Sequence, residues 1–446
     1  MKKHHQIVII GGGTGGIMVA AQLKRAKKGL DIAIIDPTET HVYQPANTLV
    51  AGGLMDYDAT RRSEKKLIPS GVVWVKEFVT DIQPEQNEVI LKNGDIISYD
   101  YLVNATGIQI NLEGIKGLKE AYGKNGVCSN YIDPRYTWEL MQQFKGGNAL
   151  FTQPTTPIKC PGAPQKIMYL MGDYVADKDL KDHTNIIFAT PGTMIFGVQP
   201  FKDELENYLK KYNVKQRYGY KLVEIDGEKK EAVYERLELP NGNDNYVVND
   251  ERNAAGCMGY VWENGVKREI QEVNSPFKME ERGTQYVIKY DMIHLAPPQS
   301  APTWFQKTKL ANQEGPNKGW MAVDKHSMQS TTYPNVFGVG DVTDLPTART
   351  GAAIRKQAPV VVENIVKLLD GQVADCKNYN GYSSCPLVVS HNKMLLAEFG
   401  YDGVRMSDPI LSKFINTGKA SYPMWILKKY GLPFMYWNLM LKGYDF

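Results

Sequence analysis

The sequence predicts an α/β chain of two Rossmann-like dinucleotide-binding domains, the first split by insertion of the second, followed by a C-terminal segment. Three observations predict it. A glycine-rich turn, Gly11-Gly12-Gly13-Thr14-Gly15-Gly16, directly follows the apolar run Ile7-Val8-Ile9-Ile10. A distant apolar run, Val336-Phe337-Gly338-Val339, ends in the pair Gly340-Asp341. Between them helix-like and strand-like patterns alternate, which favours parallel sheets with helices on their faces.

The first strand is Ile7 to Ile10, and Ile17 to Arg25 reads as the helix after the turn. The second strand, Asp31 to Ile35, ends at Asp36, twenty residues beyond Gly16. Strand, glycines, helix and acid at this spacing make a dinucleotide fingerprint. Gly11 forms the tight turn, Gly13 lets the backbone approach a pyrophosphate, and Gly16 packs helix on strand, with Gly12 between them. Unpaired N–H groups at the helix start face the phosphates, and Asp36 accepts from ribose hydroxyls. Further helices are expected at Pro134 to Phe144, Pro164 to Tyr174, Phe201 to Tyr212 and Ala352 to Leu369, and strands at Asn185 to Ala189 and Tyr286 to Leu295. The divided first domain takes residues 1–110 and 300–370, the inserted domain 111–299, and the C-terminal segment 371–446.

Bulk properties narrow the classes. The 446 residues, 43% hydrophobic, suffice for two or three cores. A net charge of +3 is too mild for a nucleic-acid partner. No apolar run of signal length precedes the first strand, so no secretion signal is expected. No stretch of about 18 apolar residues predicts a transmembrane helix. Five cysteines at irregular spacing point to catalysis or redox chemistry rather than a disulfide framework. No metal site is expected.

Two segments specify the nucleotide. Tyr101-Leu102-Val103-Asn104-Ala105-Thr106-Gly107 is a strand ending in a small-residue turn, and the Gly340-Asp341 strand is the second. Both resemble the two-dinucleotide-domain flavoproteins. The resemblance implies FAD, with Ala105, Thr106 and Gly107 crossing beside it and Gly340 and Asp341 at its ribityl and phosphate region. It also assigns Gln44, Val79 and Lys356 to the cofactor. Lys356 there stabilises an anionic reduced flavin; a plain surface lysine is the alternative.

A second glycine turn for NAD(P)H is often found in such enzymes. Here the strand Asn148 to Thr152 runs instead into Gln153-Pro154-Thr155-Thr156-Pro157-Ile158-Lys159-Cys160-Pro161-Gly162-Ala163-Pro164. Prolines and a cysteine stand where glycines would let a backbone reach a pyrophosphate. A second cysteine lies in Tyr379-Asn380-Gly381-Tyr382-Ser383-Ser384-Cys385-Pro386. On residue type alone each cysteine is either redox-active or a small buried hydrophobe.

These two cysteine segments resemble the active-site segments of sulfide:quinone oxidoreductases. Further agreement comes from His41-Val42-Tyr43-Gln44-Pro45, Phe196-Gly197-Val198 and Leu432-Pro433-Phe434-Met435-Tyr436-Trp437-Asn438. The likeness spans nearly the whole chain and is closest to the mitochondrial-like branch. It implies that sulfide opens a disulfide or trisulfide between Cys160 and Cys385. The persulfide then forms on Cys385, Cys160 faces the flavin, and a quinone is reduced. Lys159 and a helix start near Pro164 are expected to favour the Cys160 thiolate. Cys128 tethers the flavin, relays sulfur or fills space, with packing the default; Cys257 and Cys376 receive no role.

The C-terminal segment mixes aromatic, aliphatic and lysine residues from Tyr422 to Leu441, a pattern that lies either in a membrane interface or on the protein's own core. The resemblance favours a membrane-facing segment on a peripheral protein of the inner or cytoplasmic membrane. Phe399, Phe434, Tyr436 and Trp437 are the expected quinone contacts. A sulfane-sulfur acceptor and a second copy of the chain stand as further partners. The polar run between Leu239 and Thr284, longer than the family pattern, reads as a hairpin, a partner surface or a lid. The competing functions are an NAD(P)H:quinone oxidoreductase with structural cysteines and a redox-sensing flavin scaffold.

Overall fold

The computed structural model describes residues 3–237, 260–263, 266–269, 279–373, 378–409 and 411–445. Cys257, Cys376 and the polar run from Pro240 to Asn245 lie outside them.

The first domain is a seven-stranded sheet. Val72–Val75, Ile32–Ile35, His4–Ile10 and Ile96–Asn104 run parallel in that order, and the hairpin Glu88–Leu91 with Val79–Gln83 extends the edge. Val336–Gly338, from more than two hundred residues later, pairs in parallel with Leu102–Asn104. The late Gly-Asp turn therefore emerges beside the Ala105-Thr106-Gly107 turn. The strand His4–Ile10 is buried on both faces over Ile7–Ile10, as a continuous apolar run in a parallel sheet must be. The helix Thr14–Ala26 packs on it, and the helix Gly351–Leu369 packs against that helix.

The inserted domain holds a five-stranded parallel sheet, ordered Val127–Cys128, Met292–Leu295, Gly147–Thr152, Thr184–Thr190 and Lys215–Tyr218. The run expected as one strand from Tyr286 to Leu295 is two. It breaks at Tyr290-Asp291, so that Gln285–Lys289 joins a separate antiparallel sheet while Met292–Leu295 enters the parallel one. The cause is Asp291, whose carboxylate accepts the Asn148 backbone N–H at 2.8 Å and turns the chain. Within the long insertion, Tyr260–Glu263 pairs antiparallel with Val266–Glu269.

The C-terminal segment divides its packing. The hairpin Ser383–Ser390 and Lys393–Phe399 lies on the helix Ala163–Asp177. The last turns return to the first domain, so closely that a Cβ on Gly443 would meet the Ala21 carbonyl carbon at 2.7 Å. No helix among the described residues is long and apolar enough to cross a membrane.

Candidate active site

Cys160 and Cys385, 225 residues apart, meet with their Sγ atoms 3.8 Å apart. Two elements bring them together. The loop after Gly147–Thr152 is pinned by Cys160 N–H donating to the Arg349 carbonyl at 2.8 Å. Its Cys160 carbonyl accepts the Ala163 N–H at 2.8 Å and the Tyr131 hydroxyl at 3.2 Å. Cys160 adopts φ +49°, a left-handed conformation uncommon for a residue with a side chain and typical of functional sites. Cys385 arrives on the hairpin, 2% exposed. Gly162 makes room for it: a Cβ there would lie 2.6 Å from Cys385 Sγ and 2.8 Å from Leu387 Cδ2.

The charge sits on Cys160. Its thiol is held well below the usual range, first because the Cys385 thiol donates to it, and then because Lys166 and Lys428 outweigh its burial. Cys385 is pushed well up by the same contact and by burial, and so keeps its proton. The cation is not Lys159 as expected. Lys159 Nζ turns away to Asp341 Oδ2 at 3.1 Å and Gln44 Oε1 at 2.5 Å. Lys166, one turn into the helix, places Nζ 3.2 Å from Cys160 Sγ. Burial opposes its charge, but the sulfurs hold its pKa above the ordinary value. A second buried cation, Lys428, donates to the Pro45 carbonyl at 2.8 Å; burial, seconded by Lys166, brings it down to about 7.

Replacing Lys166 with methionine removes the nearest stabiliser of a buried thiolate. The Cys160 pKa then rises, and its alkylation rate at fixed pH falls. The acid limb of the alkylation-rate profile is expected to move up by about 1–3 pH units. An unmoved limb refutes this assignment.

Cys128 is fully buried on its strand, and burial raises its thiol to about 12.

The residues around the glycine turn fit a dinucleotide. Gly11 has φ +101°, and a Cβ there would strike the Ala105 carbonyl oxygen at 2.4 Å. Gly13 faces open space, and the helix it precedes has no side-chain cap. Gly16 packs its Cα against the Gly11 carbonyl. Asp36 accepts from Gly12 N–H at 2.6 Å and Thr38 N–H at 2.7 Å. Thr106 Oγ1 is buried without a hydrogen-bond partner among the described residues, beside Gly107 at φ +69°. Asp341 is 6% exposed, and Gly340 N–H donates to the Gln357 side chain at 2.9 Å. Val79 is buried in the same core, and Lys356 lies half-buried on Gly351–Leu369.

The four expected quinone contacts are not brought into one cluster. Phe399 pairs edge-on with Phe196 at 6.0 Å beside the hairpin. Tyr436 and Trp437, 5% and 4% exposed, are buried in the first domain's core near His41 and Tyr43. Phe434 on the same helix turns outward, 61% exposed. Helical spacing puts Phe434 and Tyr436, two residues apart, on opposite sides of the helix. Trp437, three residues from Phe434, is separated from it by packing against His41, Tyr43 and Tyr436.

Sequence reasoning passed over Lys166, Lys428, Tyr131 and Gly162. Lys166 had a signal: a lysine just before the apolar run Ile167-Met168-Tyr169-Leu170-Met171, in a helix buried over most of its length.

Comparison with known proteins places the chain in a family. Residues 5–139 match the family model described as pyridine nucleotide-disulphide oxidoreductase. The chain is 39% identical to the mitochondrial sulfide:quinone oxidoreductase of Dictyostelium discoideum, over 99% of this chain and 87% of that protein. It is 37% identical to the mouse mitochondrial enzyme, over 99% and 88%. The solved sulfide:quinone oxidoreductase of Aquifex aeolicus superposes with a TM-score of 0.73 at 19% identity, covering 100% of this chain and 92% of that one. The chain belongs to the sulfide:quinone oxidoreductases, a family of FAD-dependent flavoproteins.

Proposed function

We propose that this protein oxidises sulfide at the Cys160–Cys385 pair and delivers the electrons to a quinone. The sulfur pair carries the reading. A separation of 3.8 Å exceeds a disulfide of about 2.05 Å. It leaves two thiols that close to a disulfide by a short side-chain movement. In the oxidised pair, HS⁻ attacks Cys385 Sγ, the S–S bond breaks, Cys385 keeps the added sulfur as a persulfide, and Cys160 leaves as the thiolate. Lys166 and Lys428 favour that direction, because a stabilised thiolate is the better leaving group. FAD, when bound, supplies the two-electron acceptor that stands between the sulfurs and the quinone. Gln44, Asp341 and Lys159 tie the sulfur loop to the side of the fold where the flavin is expected. Turnover ends with transfer of the persulfide sulfur to an acceptor or to further sulfide, giving polysulfide.

The C-terminal segment supports a peripheral membrane position. Phe414, Tyr422, Tyr430 and Phe434 are 81%, 56%, 58% and 61% exposed, all between residues 411 and 434, with Lys413, Lys419 and Lys429 among them. Exposed aromatic rings interleaved with lysines suit an interface with anionic lipid. Phe434 is then the quinone contact on the exposed side of the segment and Phe399 a separate one beside the hairpin, while Tyr436 and Trp437 anchor the segment.

Anaerobic titration tests the reading. Sulfide is expected to bleach the flavin band of the purified protein, and a short-chain quinone to restore it. Bleaching by NADH with no response to sulfide would overturn it.

A further inference from the structure

A buried polar chain runs from the C-terminal segment into the glycine turn. Tyr436 Oη lies 2.7 Å from Thr14 Oγ1 and 2.6 Å from His41 Nε2. His41 Nδ1 lies 3.2 Å from Glu64 Oε2. The chain closes consistently with Thr14 donating to Tyr436, Tyr436 to His41 Nε2 and His41 Nδ1–H to Glu64 Oε2, and equally with every donor reversed; in both, Oε1 is left as a free acceptor. The chain ends at Glu64 Oε1, which is buried and has no hydrogen-bond partner among the described residues, on a residue 2% exposed.

That oxygen is aimed at Gly12. A Cβ on Gly12 would lie 2.5 Å from Glu64 Oε1 and 3.1 Å from Asp36 Cβ, so two acids flank the turn. They are not equivalent. Both Asp36 oxygens already accept from backbone N–H groups, of Gly12 and Thr38. Glu64 alone presents an oxygen with neither lone pair engaged. An unmatched buried acceptor is costly and is expected to meet a donor. The donors that a dinucleotide brings to this end of the turn are ribose hydroxyls.

We propose that Glu64 is a further binding residue for the adenosine ribose of FAD, and that Tyr436 makes its position depend on the docked C-terminal segment. Nucleotide retention and seating of the last helix are thereby coupled. This rests on the FAD reading of the glycine turn. Glu64 stands twenty-eight residues beyond Asp36, outside any fingerprint spacing, so no motif would have found it.

Flavin-free full-length protein is titrated with FAD and, separately, with FMN, which lacks the adenosine. Glu64→Leu is expected to weaken FAD by about 10–100-fold, as removal of a buried hydrogen-bond acceptor does. FMN affinity should stay at the wild-type value, and Glu64→Gln, which keeps an acceptor oxygen, should hold FAD within a few-fold. FAD binding by Glu64→Leu at wild-type strength overturns the proposal, as does equal weakening of FAD and FMN. Should Glu64→Leu not fold, Tyr436→Phe decides: it removes one oxygen, and FAD weakened several-fold with FMN unchanged supports the coupling, whereas unchanged FAD refutes it. A wild-type protein that binds neither flavin overturns the cofactor reading itself.

Discussion

Serine at position 160 or 385 is expected to lower sulfide-dependent quinone reduction by roughly 10³-fold or more, the scale seen when a covalent nucleophile is removed. The two replacements should leave different residues of reactivity. In Cys385→Ser, Cys160 keeps Lys166 at its sulfur and can still accept a hydrogen bond from the serine, so it remains a thiolate. Iodoacetamide at neutral pH should label it quickly. In Cys160→Ser, Cys385 loses its charged partner and lies buried, so labelling is slow. Cys128, raised to about 12 and fully buried, should resist in both. Peptide mass spectrometry after timed alkylation reads this difference. Wild-type turnover in either serine variant would remove the sulfur relay from the mechanism.

Gly162→Ala is the second large effect. Its added methyl would lie 2.6 Å from Cys385 Sγ, well inside contact distance, and 2.8 Å from Leu387 Cδ2. Neither neighbour can give easily. Leu387 is fully buried, and Cys385 sits on a strand paired with Ala397 across the hairpin. The hairpin must shift away from the helix, and the sulfurs part. Overpacking of this kind costs about 1–3 kcal/mol of stability. The larger consequence is chemical, since disulfide closure tolerates little extra distance. We expect activity to fall by roughly 100-fold or more, in line with the sensitivity of reacting groups to misplacements of about 1 Å. Oxidation of the pair, followed by thiol titration, should be slowed in step. Full activity in the alanine variant would mean that the hairpin is looser than its packing implies.

The fold was legible because parallel strands leave strong local marks. Ile7 to Ile10 is uniformly apolar, the glycines follow at once, and the Gly340-Asp341 strand closes the same sheet. The helix at Pro134 was legible for a similar reason: Asp133 caps it through the Arg135 N–H at 2.9 Å, and proline takes the first turn. The sulfur pair was legible through its flanking residues. What surrounds it was not, because it comes from contacts between distant parts of the chain. Nothing local separates Lys428 from Lys429, yet only Lys428 is buried against the sulfurs. Lys159 was misread because adjacency in sequence is not adjacency in space: with Cys160 in a left-handed turn, its neighbour points to Asp341. Tyr436 and Phe434 share one aromatic run, and only packing decides which faces the core.

The parts of the sulfur site come from residues 131, 160, 166, 385 and 428, so most of the chain must be made before it exists. During synthesis Cys160 emerges first and waits as an ordinary thiol, with a pKa near the unperturbed value of about 8.5. It becomes a strong nucleophile only when the helix that follows it has folded to bring up Lys166 and the hairpin has docked to bring up Cys385. Chemical hazard is thereby deferred until the domain has folded: a nascent chain whose hairpin is not yet made carries sulfur too sluggish to scavenge oxidants or stray electrophiles.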